Sequence, residues 1–132
     1  MLIFFLIHII VTENKTEKIY RANRVEDLNI PSPYMTGVFD KIMEENPDVK
    51  WSTTLETNRG CPFSCTFCDW GSLTYAKIKK FPEEKVYQEI EWLGANKIEY
   101  IFMADANFGI FYERDMAVTD YILDVQARTG YP

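Results

Sequence analysis

The sequence predicts an α/β fold, a partial (β/α) barrel of about two strand-and-helix units preceded by an extended strap and a short helix. Three observations predict it. Trp51 to Asn58 alternates and is rich in threonine, as a strand does, whereas Ile98 to Ala104 is an almost continuous apolar run, as expected of a parallel strand covered on both faces. Each strand is followed by a loop and then by apolar residues at helical spacing. The distance from one strand start to the next is roughly 45 residues, the size of a β/α unit. A full eight-unit barrel takes about 250 residues. With 132 residues the chain is therefore expected to be an amino-terminal piece of such a core. Residues 1–50 would supply a first strand, a connector and a short helix, and residues 51–132 the partial core.

Taken in order, the first eleven residues, MLIFFLIHIIV, are apolar apart from His8. They are too few for a membrane span, which needs roughly 20, and they lack the basic start and small-residue cleavage site of a signal peptide. Their β-branched content favours a buried strand. Thr12 to Asn29 is densely charged without a sustained period and reads as a connector. In residues 30–37, IPSPYMTG, Pro31 and Pro33 force extended geometry on their neighbours and hold the chain in an open strap. A short helix is expected from about Val38 to Glu45, ended by Asn46-Pro47. The strand from Trp51 stops at Arg59-Gly60, which places the cysteines on the loop after it.

Lys77, Lys79 and Lys80 read as a solvated face before the next helix. Pro82 with Glu83 and Glu84 marks that helix's start, since proline suits a first turn and carboxylates complement the amino-terminal dipole. Val86, Ile90 and Leu93 define its buried face. The strand from Ile98 ends in DANFG, residues 105–109. A second helix follows from about Glu113 to Arg128, with Val118, Ile122 and Val125 inward and Gly130 as its stop. In folds of this class chemistry gathers at the carboxyl ends of strands. The cysteines and DANFG both stand there.

Composition narrows the function. With 47% hydrophobic and 15% aromatic residues, there is enough apolar material for one core. Asp and Glu outnumber Lys and Arg by 20 to 14, and a net charge of -6 offers no grip on a phosphate backbone. Nucleic acid is excluded as a first choice of partner, as is a membrane. All 3 cysteines lie between positions 61 and 68. An odd, clustered set points to metal ligands in a reducing compartment, and so to the cytoplasm.

The cysteines have the spacing CxxxCxxC: Cys61, Cys65 and Cys68. Three thiolates on a tight loop can each bind one iron of a four-iron cubane and leave the fourth iron open to another ligand. An electron-transfer ferredoxin uses four cysteines, and this chain has no fourth. A zinc site of three cysteines and one histidine is the alternative, and His8 is its sole candidate. Three unligated thiols are the third reading.

With Phe67 in the aromatic position before the last cysteine, Cys61-Pro-Phe-Ser-Cys65-Thr-Phe-Cys68 resembles the defining motif of the radical S-adenosylmethionine (radical SAM) enzymes. The resemblance implies that Cys61, Cys65 and Cys68 hold a 4Fe-4S cluster whose open iron chelates S-adenosylmethionine. An electron from a donor such as flavodoxin or ferredoxin then yields methionine and a 5'-deoxyadenosyl radical, which abstracts hydrogen from a substrate. It places Phe67 against the adenine, a role compatible with simple packing. Ala104, Asp105, Ala106 and Asn107 stand where the family receives the amino group of S-adenosylmethionine. They depart from the glycine-rich form, so backbone carbonyls or the side chains of Asp105 and Asn107 would accept instead. Turn-shaping is the other reading of these residues.

A narrower resemblance, over roughly residues 30–130, is to the group in which a cobalamin-binding domain precedes the radical core, several of whose members are methyltransferases or ring-rearranging enzymes. The first 29 residues are too few for that domain, so no bound cobalamin is expected here. Trp70 either shields the cluster or packs, Arg59 either faces negative charge or is an ordinary loop arginine, and the lysine run either docks the electron donor or is solvated. The chain is thus expected to be an enzyme of this family acting on a small-molecule or other substrate. A non-catalytic iron-sulfur or zinc module and an inactive truncated piece, lacking core segments, are the rival expectations.

Overall fold

A computed structural model describes residues 27–68 and 78–132 in full and residues 8–13 and 16–21 as backbone. Strands β1 (His8–Glu13) and β2 (Thr16–Arg21) form an antiparallel hairpin, from His8 opposite Arg21 to Glu13 opposite Thr16. The strand expected of the apolar start is present from His8, while residues 1–7 lie outside the described residues. The connector expected over Thr12 to Asn29 is corrected, because Thr16–Arg21 pairs along its whole length. Thr, Ile and Tyr among the charges of TEKIYR suit a strand, and the pairing partner rather than the segment's own period decides its state.

Helix α1 (Asp40–Glu44) follows the strap, and β3 (Ser52–Leu55) leads to the two-residue strand β4 (Asn58–Arg59). After β5 (Lys79–Lys80) come α2 (Glu83–Ala95), β6 (Tyr100–Met103) and α3 (Tyr112–Thr129). Strands β3 and β6 run parallel, with Ser52 opposite Tyr100 and Leu55 opposite Met103. Backbone bonds from Glu99 N to Trp51 O (2.9 Å) and from Ala104 N to Leu55 O (2.8 Å) carry the ladder past both ends. The architecture is mixed α/β, a two-stranded parallel sheet with helices packed on it. Closure into a barrel is not seen among the described residues.

The helix faces are those the spacing predicts. Val86, Ile90 and Leu93 of α2 and Val118 and Val125 of α3 are fully buried, and most of them share a core with Leu55 and Phe81. Pro82 caps α2 ahead of Glu83 and Glu84, and α3 ends at Gly130, whose φ of 83° a left-handed cap requires. The sheet departs from expectation on one side. Strand alternation turns Ile101 and Met103 toward the core and Tyr100 and Phe102 away from it, so the latter remain 61% and 58% exposed. The run covered on both faces is therefore covered on one face among the described residues.

Close approach of α2 and α3 rests on Gly94. A Cβ there would lie 2.4 Å from Val125 Cγ1 and 3.1 Å from Thr129 Oγ1. Gly94→Ala is expected to lower stability, because overpacking costs about 1–3 kcal/mol against the roughly 1 kcal/mol that alanine gains in a helix. A lower urea midpoint at unchanged slope is the expected reading.

The proline strap is fastened to the sheet and to α2. Tyr34 is buried, its hydroxyl donating to the Thr54 carbonyl and sharing a 2.7 Å hydrogen bond with Thr53 Oγ1, and its ring lies 5.3 Å from Trp92 and 5.7 Å from Phe39. Two residues earlier, the buried Ser32 stands beside Glu89 of α2, which is only 6% exposed. Burial pushes the Glu89 carboxyl above its ordinary range, against the pull of Ser32 and of Lys85, whose Nζ is 3.8 Å away. Folding therefore favours protonated Glu89. Its contribution is fully present below the unfolded value of about 4.3 and is lost as pH rises through the higher folded value. The melting temperature of a Glu89→Gln variant should gain on wild type as pH rises from about 4 toward 7. A constant gap between the two would contradict this.

Candidate iron-sulfur and cofactor site

Because β3 and β6 are parallel, the segments leaving them emerge at the same sheet edge. Residues 56–61 leave β3 and residues 104–107 leave β6. Asp105 ties the two together. Its carboxylate accepts from Thr57 N at 3.1 Å, from Thr57 Oγ1 at 2.9 Å and from Asn58 N at 2.5 Å. Thr57 and Asn58 are fully buried. Burial pushes the Asp105 carboxyl up, and these bonds from Thr57 and Asn58 oppose the rise.

Gly60, at φ 111°, turns the chain out of β4 into the cysteine loop, a conformation that favours glycine. Cys68 N donates to Cys65 O at 3.1 Å and closes the turn between the last two cysteines. All three cysteines are free, Cys65 exposed and Cys61 and Cys68 half-buried, and Phe67 stands 90% exposed at the rim. From the opposite loop, Asn107 Nδ2 reaches to 3.1 Å from Cys61 Sγ. The structure thus brings the cysteine loop beside the Ala104–Asn107 segment. Asp69, Trp70, Gly71 and Lys77 lie outside the described residues.

Beneath this edge lies a charged pair that sequence reasoning missed. Arg114, at the start of α3, donates to Thr57 Oγ1 (3.1 Å), Thr57 O (3.0 Å) and Phe81 O (3.2 Å). Asp115 Oδ2 accepts from Gly109 N (2.8 Å) and Phe111 N (3.1 Å) and so holds the DANFG turn to the helix. Both side chains are buried. Stepping back three and four positions from Val118 lands on these two residues, so a charged pair on the inner face of a helix was the signal available.

Two surface cations have partners. Arg59 forks onto Glu56, at 2.9 Å through Nε and 2.5 Å through a terminal nitrogen, and lies over the Phe81 ring. The Glu56 carboxylate raises the Arg59 pKa further. Lys79 and Lys80 form β5 against β4, and Lys80 stays exposed, as expected of a solvated run, with its Nζ 3.8 Å from the Phe111 ring centroid.

No protein-family model matches the chain. Two curated proteins do. Over 107 residues, 80% of this chain and 16% of the relative, it is 42% identical to the 2-(S-pantetheinyl)-carbapenam-3-carboxylate methyltransferase of Streptantibioticus cattleyicolor. Over 115 residues, 85% of this chain and 17% of the relative, it is 39% identical to the cobalamin-dependent radical SAM methyltransferase TokK of Streptomyces tokunonensis. The chain belongs to the radical SAM family, in its cobalamin-associated group. This radical SAM segment spans about a sixth of the length of those relatives.

The cofactor of a radical SAM protein sets a fit test for the cysteine loop. Among the described residues no three His, Cys, Asp or Glu side chains converge as the ligands of one metal ion do. A cubane takes one thiolate per iron, which spreads its ligands over several corners. Three free thiols on one short loop, none fully buried, are a donor set that fits such a cluster. Also among the described residues, no helix is long and apolar enough to cross a membrane.

Proposed function

We propose that this chain is the cluster-bearing part of a radical SAM enzyme, in which Cys61, Cys65 and Cys68 hold a 4Fe-4S cluster beside a site for S-adenosylmethionine. The observation that carries the reading is the pairing of two loops at one sheet edge, the three-thiol loop after β3 and Ala104–Asn107 after its parallel neighbour β6. When bound and reduced by an external donor such as flavodoxin or ferredoxin, the cluster supplies the electron that splits S-adenosylmethionine into methionine and a 5'-deoxyadenosyl radical.

The chain's own residues have distinct parts in this. The backbone carbonyls of Ala104 and Ala106 and the side chain of Asn107 offer acceptors to the amino group, which needs them whatever the side chains around it. Asp105 keeps the two loops in register through Thr57 and Asn58, and Phe67, exposed at the rim, is free to lie on the adenine. Arg59 is held by Glu56 and serves the edge of the loop.

For the whole protein we extend the reading to a completed β/α barrel that works in the cytoplasm and, by likeness to relatives named as methyltransferases, transfers a methyl group to a substrate bound by parts beyond this segment. Cobalamin, which one relative's name includes, is assigned to those parts as well.

Anaerobic reconstitution with iron and sulfide, followed by reduction in the presence of S-adenosylmethionine, tests the proposal. Visible cluster absorption with release of methionine and 5'-deoxyadenosine is the expected result. One equivalent of zinc with no iron would overturn it.

A further inference from the structure

Asn107 and Cys61 are 46 positions apart, yet the side-chain amide of one donates to the sulfur of the other at 3.1 Å. The contact follows from the fold. The parallel register sets Leu55 opposite Met103, the bond from Ala104 N to Leu55 O carries that register one step further, and Asp105 then clamps Thr57 and Asn58. A turn bond from Ile110 N to Asn107 O, 3.2 Å, holds the backbone of Asn107 in place, and Asn107 itself is half-buried. Each link is a main-chain or part-buried polar contact, so the amide is delivered to Cys61 by the same bonds that hold the two loops together.

A thiolate ligand carries negative charge, and a hydrogen bond to a charged acceptor is roughly twice as strong as a neutral one. Each electron added to an iron-sulfur cluster increases the charge on its ligand sulfurs. An N–H donor on such a sulfur therefore stabilises the reduced state more than the oxidised state and raises the reduction potential.

Resting on the cluster reading above, we infer that Asn107 is a positioning residue for Cys61, which fixes the sulfur's orientation and raises the potential of the cluster it ligates. Asn107→Asp keeps the shape and replaces the donor by an acceptor, while Asn107→Ala removes the group.

The test is a redox titration of the reconstituted wild-type and variant chains, with iron content measured on each. Both variants should show a lower midpoint potential at wild-type iron content, by about 59 mV for a tenfold change in a one-electron equilibrium. Equal potentials at equal iron overturn the inference and leave the cluster reading standing. A wild-type chain that takes up no iron overturns the cluster reading and this inference with it.

If the variants fail to keep iron, the cluster-free chain decides. Its Asn107 side-chain amide resonance, identified by its loss in Asn107→Asp, should move on Cys61→Ala and stay in place on Cys65→Ala. No response to Cys61→Ala overturns the inference.

Discussion

Arg114→Leu is expected to cost this chain about 3–5 kcal/mol, the usual penalty for removing one partner of a buried charged pair. The guanidinium is 7% exposed, donates to the Thr57 and Phe81 carbonyls on two separate stretches of backbone, and lies 3.6 Å from the carboxylate of its neighbour Asp115. Leucine fills part of the space and satisfies none of the acceptors. The Thr57 and Phe81 carbonyls lose a donor, and Asp115, 2% exposed, loses the cation beside it. Arg114→Lys restores the charge but cannot fork to several acceptors, so its loss should be intermediate. Urea unfolding checks both variants, and a wild-type midpoint for Arg114→Leu would refute the role given to the network. A loss of the expected size is a large share of the stability of a typical domain.

The second large effect is chemical. Cys65→Ala should abolish most iron uptake and visible absorption after reconstitution, while the stability of the cluster-free chain stays within about 0.5 kcal/mol of wild type. Cys65 is exposed, so removing its sulfur leaves no cavity, and the variant separates ligation from folding. Arg114→Leu has the reverse profile, with stability lost first and the three thiols intact. Full iron content in Cys65→Ala would remove the basis for a three-thiolate cluster, and unfolding of Cys65→Ala would show that the loop has a packing role that its exposure does not suggest.

Much of the fold was legible because it depends on local periodicity. The inner faces of α2 and α3 are read from Val86, Ile90, Leu93, Val118 and Val125, and their ends from Pro82 and Gly130. Strand bounds were less legible. The expected strand from Trp51 to Asn58 breaks at Leu55, because Thr57 and Asn58 turn their amides to Asp105 instead of to β6, and Asn58 goes on to pair with β5. Lys79 and Lys80 read as a solvated run, and their strand pairing becomes visible only with β4 beside them. The hairpin strand Thr16–Arg21 was obscured in the same way.

The sequence by itself determined the donor set of the candidate site. Three cysteines at CxxxCxxC spacing with no fourth, an aromatic at Phe67 and an acidic loop at the end of the next strand are one-dimensional facts, and they require no fold to be read. Only the tertiary structure decided what supports them. Asp105 meets Thr57 across 48 positions, Arg114 meets it across 57, and Asn107 meets Cys61 across 46. Such contacts leave no period in the chain, because they are set by the register of two parallel strands and by the packing of α3 beneath them. Parallel pairing brings distant segments to one edge, and burial then requires each polar group there to find a partner.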